Sequence, residues 1–436
     1  MQKALSILIF LSVFSASAQE ILTLEQAIAE GLEKNFDIRI TQNDYLISQN
    51  NNTAGNAGML PVLDVEVGKT YRKNDFDGTF QGSDGTFSIS RDGAKSDQFS
   101  SSVVLDWTIF DGALMFITRE KLSELEKAGE LQSRIMVENT VAAIAETYYQ
   151  IVAEQAQHEV LEQTMVISEH RRTFAQSRYE VGKASKLEYL AAQVDYNADQ
   201  SSLLRQRELL NNAKVDLNQL LGRAVDNNFE VEHDIEMQEP LSFDSLQQRV
   251  RSFNPALLLA VNQESVAYLE YRELQAERYP QIGLNAGYNY NTSNNEAGQL
   301  RESSSDGITY GFAARWNIFN GFNARREVQN ARLSQQNSQW QREAIGLELE
   351  AQLQKVYFNY QNNLNLVELE QQNVQVALEN ESIAIDRYEL GAGTSLELRE
   401  AQRNAVDARS RLLDAQLQAK KAEVELLRLT GRLVKG

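Results

Sequence analysis

WTIFDG, at Trp107–Gly112, is repeated 209 positions later as WNIFNG, at Trp316–Gly321. The same offset takes the run RYEVGKASKLEYLAAQ, which starts at Arg178, to RYELGAGTSLELREAQ, which starts at Arg387. Upstream of the tryptophans the offset becomes 219, because the first copy has ten more residues between its proline and its tryptophan. So long a period is not that of a solenoid repeat. It predicts a duplicated half-protein whose two copies pack as a pseudo-symmetric pair.

The duplication sets the expected organisation of the chain. Ahead of it, Lys3, an apolar stretch at 4–14 and the small residues Ala16-Ser17-Ala18 are typical of an export signal with its cleavage site. The apolar stretch is too short to span a bilayer. We expect a signal peptide at 1–18, a first repeat at 19–223, a linker at 224–241 and a second repeat at 242–436.

Each repeat contains a segment with the two-residue period of a β-strand. Apolar and polar residues alternate around Val65 in the first copy and around Leu284 in the second. A return strand is expected before each tryptophan. The resulting β-hairpins are expected at about 60–110 and 280–319, with polar, glycine-rich loops at 72–98 and 291–306.

The apolar positions of these strands define one face of each hairpin. In the return strands this face is expected to include Trp107 and Ile109 in the first copy, and Trp316 and Ile318 in the second. Alternation over about ten residues, with aromatic residues near the strand ends, is typical of outer-membrane strands. A soluble β-sandwich is the alternative, but no other strand-rich segment is present to pack on these strands. The expected lipid-facing residues are Val65, Trp107, Leu284 and Trp316.

Four strands are too few to close a barrel across a membrane. Known spanning barrels have at least about eight strands, and an open sheet edge in lipid leaves backbone groups without hydrogen bonds. The sequence therefore predicts that several chains contribute four strands each. It leaves the number of chains open.

Helical sequence fills most of the remainder of each repeat. Proline-free stretches at about 113–180 and 322–389 have apolar residues three and four apart, as in a coiled coil. Each is expected to be followed by a tight turn, at 182–185 or 391–395, and by a second helix of about 36 residues. Shorter helices are expected at 23–33 and 242–252, each followed by a helix of about twenty residues that ends near Gly58 or Tyr279.

The two tight turns carry the residues that are expected to matter for function. Ser185, and Thr394 or its neighbour, can cap the returning helix. Glu188 and Glu397 fall in the first turn of that helix, where negative charge is favoured. Capping alone accounts for both. It does not account for Glu400, which lies three residues after Glu397 on the same helix face.

Composition and motifs exclude several classes of protein. The chain has 42 Lys and Arg against 61 Asp and Glu, a net charge of −19, which argues against binding to nucleic acid. It has no cysteine and only three histidines, so neither a metal site nor a cofactor is expected. The sequence signatures of serine hydrolases, zinc proteases and nucleotide-binding loops are absent, and no enzymatic activity is predicted.

In their order and duplication, these motifs make the chain resemble the TolC-like outer-membrane efflux and secretion ducts. The resemblance covers the whole mature chain, from the helix breaks at Asn35 and Asn254 to the twin RYExG turns. It implies a mixed α and β membrane protein that forms a homotrimer. Long coiled-coil hairpins would build a periplasmic tunnel, and four strands per chain would build a shared 12-stranded outer-membrane barrel. The polar stretch 225–242, with Pro240, resembles the family's equatorial connection.

The family's pattern also assigns roles to the two turns. It places rings of acidic residues at the pore entrance, here Glu397 and Glu400, with Glu188 facing them from the other hairpin. The basic residue that latches the closed entrance in well-known members falls on Gly393, and Lys183 or Lys186 is a substitute for it. Residues expected at the hairpin tips and in adaptor contact are Gly182, Lys183, Ser185, Tyr388, Gly391, Gly393 and Thr394.

The resemblance implies passive conduction through an exit duct. Its partners would be a periplasmic adaptor (membrane fusion) protein, an inner-membrane transporter and outer-membrane lipid. The cargo stays open, since drugs, metal ions and secreted proteins all use such tubes. The alternative is an exported coiled-coil protein that braces the envelope without conducting.

Overall fold

The computed structural model describes residues 21–237, 242–297 and 300–433. The expected signal peptide and Pro240 lie outside these residues. The chain divides into two compact units. Each unit draws segments from both sequence repeats, so packing within a unit joins the two copies. The helical unit combines the described residues up to Gln42, those from Ser133 to Pro255 and those from Gly346 onwards, and the sheet unit combines those from Asn43 to Gln132 and from Ala256 to Ile345.

The helices of the two repeats correspond in position, and all but α2 and α6 correspond in length. They are α1 (Leu24–Lys34), α2 (Phe36–Asn51), α3 (Leu114–Glu180), α4 (Lys186–Leu220), α5 (Phe243–Phe253), α6 (Pro255–Ala276), α7 (Asn323–Glu389) and α8 (Ser395–Leu429). α3 and α7 each have 67 residues, and α4 and α8 each have 35. The ends of these paired helices are 209 positions apart, as a duplication without insertion requires. None of the helices in the described part of the chain is long and apolar enough to cross a membrane.

α2 is shorter than its sequence predicts, because it ends at Asn51 and not near Gly58. The Asn56 side chain donates a hydrogen bond to the carbonyl of Asn51 (2.9 Å), and the Thr53 hydroxyl accepts one from the Asn56 amide (3.1 Å). Asparagine and threonine side chains that bind nearby backbone favour turns over helix. The polar residues after Asn51 therefore end the helix about two turns early.

In the helical unit, equivalent asparagines follow α1 and α5. The Asn35 side chain donates to the carbonyl of Leu220 (2.8 Å), and the Asn254 side chain donates to the carbonyl of Leu429 (2.9 Å). Because the last carbonyls of a helix lack partners within it, these amides tie the ends of α4 and α8 to the short helices. An apolar core lies beside the first of these joints and includes Ile144, Tyr148, Ile151, Leu217 and Leu221.

Four long strands form one antiparallel sheet in the sheet unit. The order is β2-β3-β5-β6, so one edge of β2 and one edge of β6 have no strand beside them within the described chain. A separate pair of short parallel strands lies in the helical unit. The long strands are β2 (Val62–Gly82), β3 (Gly85–Phe110), β5 (Gln281–Asn295) and β6 (Glu302–Arg315), and the short ones are β1 (Ile21–Leu22) and β4 (Glu230–Val231).

The expected hairpin loops at 72–98 and 291–306 are wrong, because most of these residues are paired strand. In the first hairpin only Ser83 and Asp84 join β2 to β3. In this extension the hydroxyls of Thr79 and Ser88 form a polar cross-strand pair (3.1 Å), and the ring of Phe80 stacks on those of Phe76 and Phe87. The ten extra residues of the first repeat therefore lengthen its hairpin and not its loop.

The register places the apolar positions of all four strands on one face of the sheet. Residues that stand opposite each other in neighbouring antiparallel strands point to the same side. One row across the sheet consists of Val65, Val103, Tyr288 and Ile308, and a second consists of Trp107, Leu284 and Phe312. The expected common face of Val65, Trp107 and Leu284 is thus present in the sheet.

Three residues expected on this face lie elsewhere. The register of β3 against β5 shifts between Thr108 and Phe110, so Phe110 and not Ile109 stands opposite Ile282. A β-bulge of this kind adds one residue to a strand and reverses the alternation beyond it. In the second copy, β6 ends at Arg315, which leaves Trp316 and Ile318 outside the strand.

Candidate functional site: the tips of the helical hairpins

Two turns of the helical unit close the long hairpins, and both depend on glycine. Gly182 and Gly391 have φ angles of 74° and 71°, which side chains with a Cβ rarely adopt. The carbonyl of Arg178 accepts hydrogen bonds from the amides of Lys183 (2.7 Å) and Ala184 (3.1 Å). The carbonyl of Arg387 accepts the equivalent bonds from residues 392 and 393, at 2.8 and 2.9 Å. These bonds satisfy the final carbonyls of α3 and α7 and reverse the chain sharply.

Hydroxyl caps start both returning helices. The Ser185 hydroxyl accepts a hydrogen bond from the amide of Glu188 (3.2 Å), and the Thr394 hydroxyl accepts one from the amide of Glu397 (3.2 Å). The Glu397 carboxylate also accepts a hydrogen bond from the amide of Thr394 (3.1 Å), which completes a capping box. Glu397 is therefore a capping residue as well as an exposed charge.

A repeated arginine faces the capped glutamate at each tip. The Arg178 guanidinium lies 3.7 Å from the carboxylate of Glu188, and that of Arg387 lies 3.9 Å from the carboxylate of Glu397. Sequence reasoning missed both arginines as functional residues. The signal was present, because each opens its copy of the RYExG motif and the two are 209 positions apart.

The equivalent tyrosines of the two tips differ in environment. Tyr388 is only 2% exposed and packs edge-to-face on Phe174, with ring centroids 5.4 Å apart. Its hydroxyl donates a hydrogen bond to the Glu188 carboxylate (3.2 Å). Burial, and then the neighbouring carboxylate of Glu188, raises the pKa of Tyr388. Tyr179, its counterpart, is exposed and stacks on Tyr189. The buried tyrosine thus ties the second hairpin to the first.

Glu397 and Glu400 line one groove on the second hairpin. This cavity of about 610 Å³ lies between α7 and α8. Glu188 is not among its lining residues and is placed with Tyr388 and Arg178. The structure therefore brings two of the three predicted acidic residues together. The other residues that line the groove are Asn380, Ile383, Ala384, Arg387, Leu396, Ala401 and Asn404.

The position of the family's latching residue is crowded. A Cβ atom on Gly393 would lie 3.2 Å from the Cβ of Arg387 and 3.3 Å from its backbone carbonyl carbon. Within the described ranges, Lys183 and Lys186 form no ion pair. The basic groups that contact acids at the tips belong instead to Arg178 and Arg387.

Further along the hairpins from the tips, a network of charged side chains links α3, α4 and α8. The Arg399 guanidinium on α8 donates two hydrogen bonds to Asp199 on α4, at 2.7 and 2.9 Å, and lies 3.7 Å from Asp195. Arg171 on α3, which is fully buried, donates to Asp195 at 2.5 Å. Two-point contacts between guanidinium and carboxylate fix both distance and orientation. Sequence reasoning did not identify this network, because Arg399 and Asp199 are 200 residues apart.

In the sheet unit, both motif tryptophans donate to backbone at equivalent places. The Trp107 indole donates to the carbonyl of Met59 (3.0 Å), and the Trp316 indole donates to the carbonyl of Arg278 (3.1 Å). Although Trp316 lies beyond β6, it therefore repeats the contact that Trp107 makes within β3. Both rings are anchored at the end of the sheet where the strands join helical segments.

Comparison with known structures shows the same fold. CusC has a TM-score of 0.75 at 18% identity, covering 93% of this chain and 91% of its own. The Vibrio cholerae outer membrane protein VceC scores 0.74 at 17% identity, covering 94% and 96%. The Campylobacter jejuni CmeC outer membrane channel scores 0.80 at 12% identity, covering 94% and 85%. A comparison with curated protein sequences gives no match.

The family assignment rests on the sequence itself. The model of the family described as "Outer membrane efflux protein" matches residues 27–223 and 246–432, which include both repeats. This match confirms the resemblance that the duplicated motifs indicate and places the protein in the outer membrane. The chain belongs to the outer membrane efflux protein family.

Proposed function

We propose that this chain forms the outer-membrane exit duct of a tripartite efflux pump or a type I secretion system. Substrates would pass through it without energy input, from the periplasm or an inner-membrane transporter to the exterior. The observation that carries this proposal is the four-stranded sheet. Its apolar face and both of its edges have no partner within the described chain.

The sheet has the properties of a barrel segment. Val65 and Ile308, at opposite edges of one apolar row, are 70% and 74% exposed. The opposite face carries polar side chains, as where the Asn289 amide donates to the Thr309 hydroxyl (3.1 Å). Such a sheet is stable in lipid only when its edges pair with further strands. Three chains would complete a 12-stranded barrel with the apolar face in lipid and the polar face around the lumen.

Exposed apolar stripes on the helical unit support association of several copies. Three exposed residues of α7 and a fourth just after it repeat at intervals of seven, which is the spacing of a coiled-coil seam. A second exposed stripe runs along α4. A further copy of the chain is the natural cover for both, because a closed ring of hairpins buries one stripe against the other. The first stripe consists of Leu369, Val376, Ile383 and Leu390, and the α4 residues are Leu187, Leu190, Val194, Leu204 and Leu209.

The hairpin tips have the properties of a protein-docking surface. Leu187 and Leu390 are 78% and 83% exposed, beside the equivalent exposed residues Leu396 and Val181. Exposed apolar residues clustered within a polar surface are typical of interaction sites. A periplasmic adaptor would cover them and contact the turns at 182–185 and 391–395. The acidic pair Glu397 and Glu400 would form the pore entrance, and Glu188 would hold the closed tip through Tyr388.

Single-channel recording tests whether the protein is a duct. Purified protein in a planar lipid bilayer is expected to give discrete conductance steps, because a barrel with a polar lumen holds a water-filled path. If the hairpin tips are closed, the conductance is expected to be small. It should increase with the cation concentration of the solution, because the predicted entrance is acidic. Protein that binds the bilayer but leaves its conductance at baseline would favour the envelope-bracing alternative.

The mass of the assembly is the second prediction. Native mass measurement in mild detergent is expected to find three chains, since four strands per chain then give twelve. The measurement should be made at several protein concentrations, because an obligate oligomer does not dissociate reversibly into folded monomers. A dispersed monomer that retains its β-sheet signal in circular dichroism would contradict the proposal.

A further inference from the structure

A basic cavity lies at the far end of the sheet. Its volume is about 710 Å³, and it lies where the shorter hairpin turns and the longer one continues. Five cationic residues line it against three acidic ones, in a chain whose net charge is −19. The cations are Arg72, Lys73, Arg91, Lys95 and Arg301, and the acids are Asp97, Glu296 and Glu302.

Two sets of aromatic residues on the apolar face indicate the height of this cavity along the membrane normal. Trp107 marks the end of the sheet next to the helices, and Phe99 packs edge-to-face on Tyr290 eight residues along β3. Eight residues span about 27 Å along a strand, or about 20 Å along the membrane normal at a tilt of 35–45°. This height is close to the apolar band of about 25 Å between the aromatic girdles of outer-membrane barrels. Lys95 lies four residues beyond Phe99 and hence about 10 Å further outward, at the level of lipid headgroups.

Two of the lysines point to the lipid side of the sheet. Lys73 stands directly opposite Lys95 in the register of β2 and β3. Each is eight residues, an even number, from the paired apolar residues Val65 and Val103, so all four share one face. Like charges placed directly opposite each other destabilise a strand pair. An anion between the two ammonium groups removes that repulsion.

Among the described residues, none of these five cations forms an ion pair. No carboxylate lies within 4.0 Å of the charged groups of the five, whereas the neighbouring Lys69 is paired with Asp97 at 3.8 Å. The carboxylate of Glu296 accepts a hydrogen bond from the backbone amide of Lys95 (3.2 Å). The Arg91 guanidinium donates to the backbone carbonyl of Glu296 at 2.5 Å, which fixes the second hairpin against the first. The cavity is therefore held in shape while its charge is uncompensated.

We propose that Lys73 and Lys95, with Arg91 and Arg301, bind the phosphate groups of an anionic lipid in the outer leaflet of the membrane. The two lysines face the lipid, and the arginines supply planar donors suited to phosphate oxygens. A basic cluster at the membrane surface attracts anionic headgroups through the same electrostatics. The site would bind about one lipid per chain around the rim of the barrel. The proposal uses the lipid-face assignment and is independent of conduction.

The test compares the protein with its Lys73→Gln/Lys95→Gln variant. Native mass spectrometry in detergent micelles would measure binding of a diphosphorylated glycolipid, of the same glycolipid without phosphates, and of sodium phosphate. The original protein is expected to bind the phosphorylated glycolipid at least about 10-fold more tightly than the other two ligands. The double variant should lose about 10- to 30-fold in affinity for it, since each surface lysine contributes measurably to anionic-lipid binding.

A matched control removes two exposed lysines from the helices, Lys127→Gln and Lys355→Gln. It should bind the phosphorylated glycolipid like the original protein. Equal lipid affinity of the two double variants, equal binding of the dephosphorylated glycolipid, or tighter binding of free phosphate would each overturn the proposal. Oligomer mass and single-channel conductance of every variant report folding and conduction separately, so a failed lipid site is distinguishable from a failed duct.

Discussion

Val65→Arg is expected to prevent assembly of most of the protein. Val65 stands opposite Val103, which is four residues from Trp107 and four from Phe99 along β3. It therefore lies midway between the two sets of aromatic residues, where the membrane is most apolar. An arginine at the bilayer midplane costs about 2–4 kcal/mol, and a homotrimer contains three. The fraction of oligomer after refolding into lipid vesicles, measured by native mass or electrophoretic mobility, checks the expectation.

Two further substitutions test whether the loss of assembly depends on the position of the arginine. Glu66→Arg changes the adjacent residue, which points to the opposite face, and should assemble nearly as well as the original protein. Leu284→Arg lies on the apolar face but opposite Trp107, near the helix-proximal rim. Its cost is expected to be lower than that of Val65→Arg, because the penalty for a charge falls towards the interface. If Val65→Arg and Glu66→Arg assemble equally well, the lipid-face assignment is wrong.

The second large effect is expected at the pore entrance. Replacing both Glu397 and Glu400 by Gln should abolish block by trivalent cations added from the periplasmic side, and should weaken cation selectivity. In a trimer the two carboxylates amount to about six charges in one mouth, at separations comparable to the Debye length of about 8 Å. Single-channel block and reversal potential in a salt gradient are the measurements. Assembly should be unchanged, because glutamine replaces glutamate in a capping box.

Glu188→Gln is the matched control for this pair. Its carboxylate lies beside Arg178 and accepts the hydrogen bond of Tyr388, so its removal is expected to loosen the tip and to affect block much less. The rival interpretation holds that Glu397 and Glu400 only stabilise the first turn of an exposed helix. Under that interpretation the double substitution slightly lowers stability and leaves block and reversal potential as they were. That outcome would contradict the assignment of Glu397 and Glu400 to the pore entrance and would leave the proposed duct unaffected.

The helical half of the fold follows from the sequence because its signals are local. Proline-free heptads, a glycine with positive φ and a hydroxyl cap define α3, α4, α7 and α8. The unbroken offset of 209 then makes each boundary in one copy a check on the other. The end of α2 was missed because side-chain bonds from Thr53 and Asn56 outweigh a periodic pattern that continues past them.

The strands were harder to predict beyond the apolar band. Alternation of apolar and polar residues marks a strand only where its two faces meet different surroundings. From Lys73 to Gly82 only Phe76 and Phe80 are apolar, and the sequence has the composition of a loop although it is paired throughout most of its length. The bulge near Ile109 left no periodic signal either, since apolar residues occupy both sides of the register shift.

Side-chain contacts between distant segments were the part of the site that sequence patterns did not reveal. Glu188 was expected to face the acidic pair, and it contacts Tyr388, a residue 200 positions away. Its equivalent Glu397 has no such partner, because Tyr179 is exposed where Tyr388 is buried. A duplication predicts equivalent backbones. It does not predict which copy of a side chain becomes buried when the copies meet.

The two β-hairpins differ in length, and this difference would shape the outer surface of the assembled protein. The first hairpin carries ten additional residues, which lengthen it by about 17 Å along the strand direction if they are shared between its two strands. In a trimer, three tall hairpins would alternate with three low ones around the rim. An antibody approaching an intact cell would meet Ser83 and Asp84 before any other part of the chain. The ten-residue difference between the repeats would therefore make the first hairpin the most accessible part of such a trimer from outside the cell.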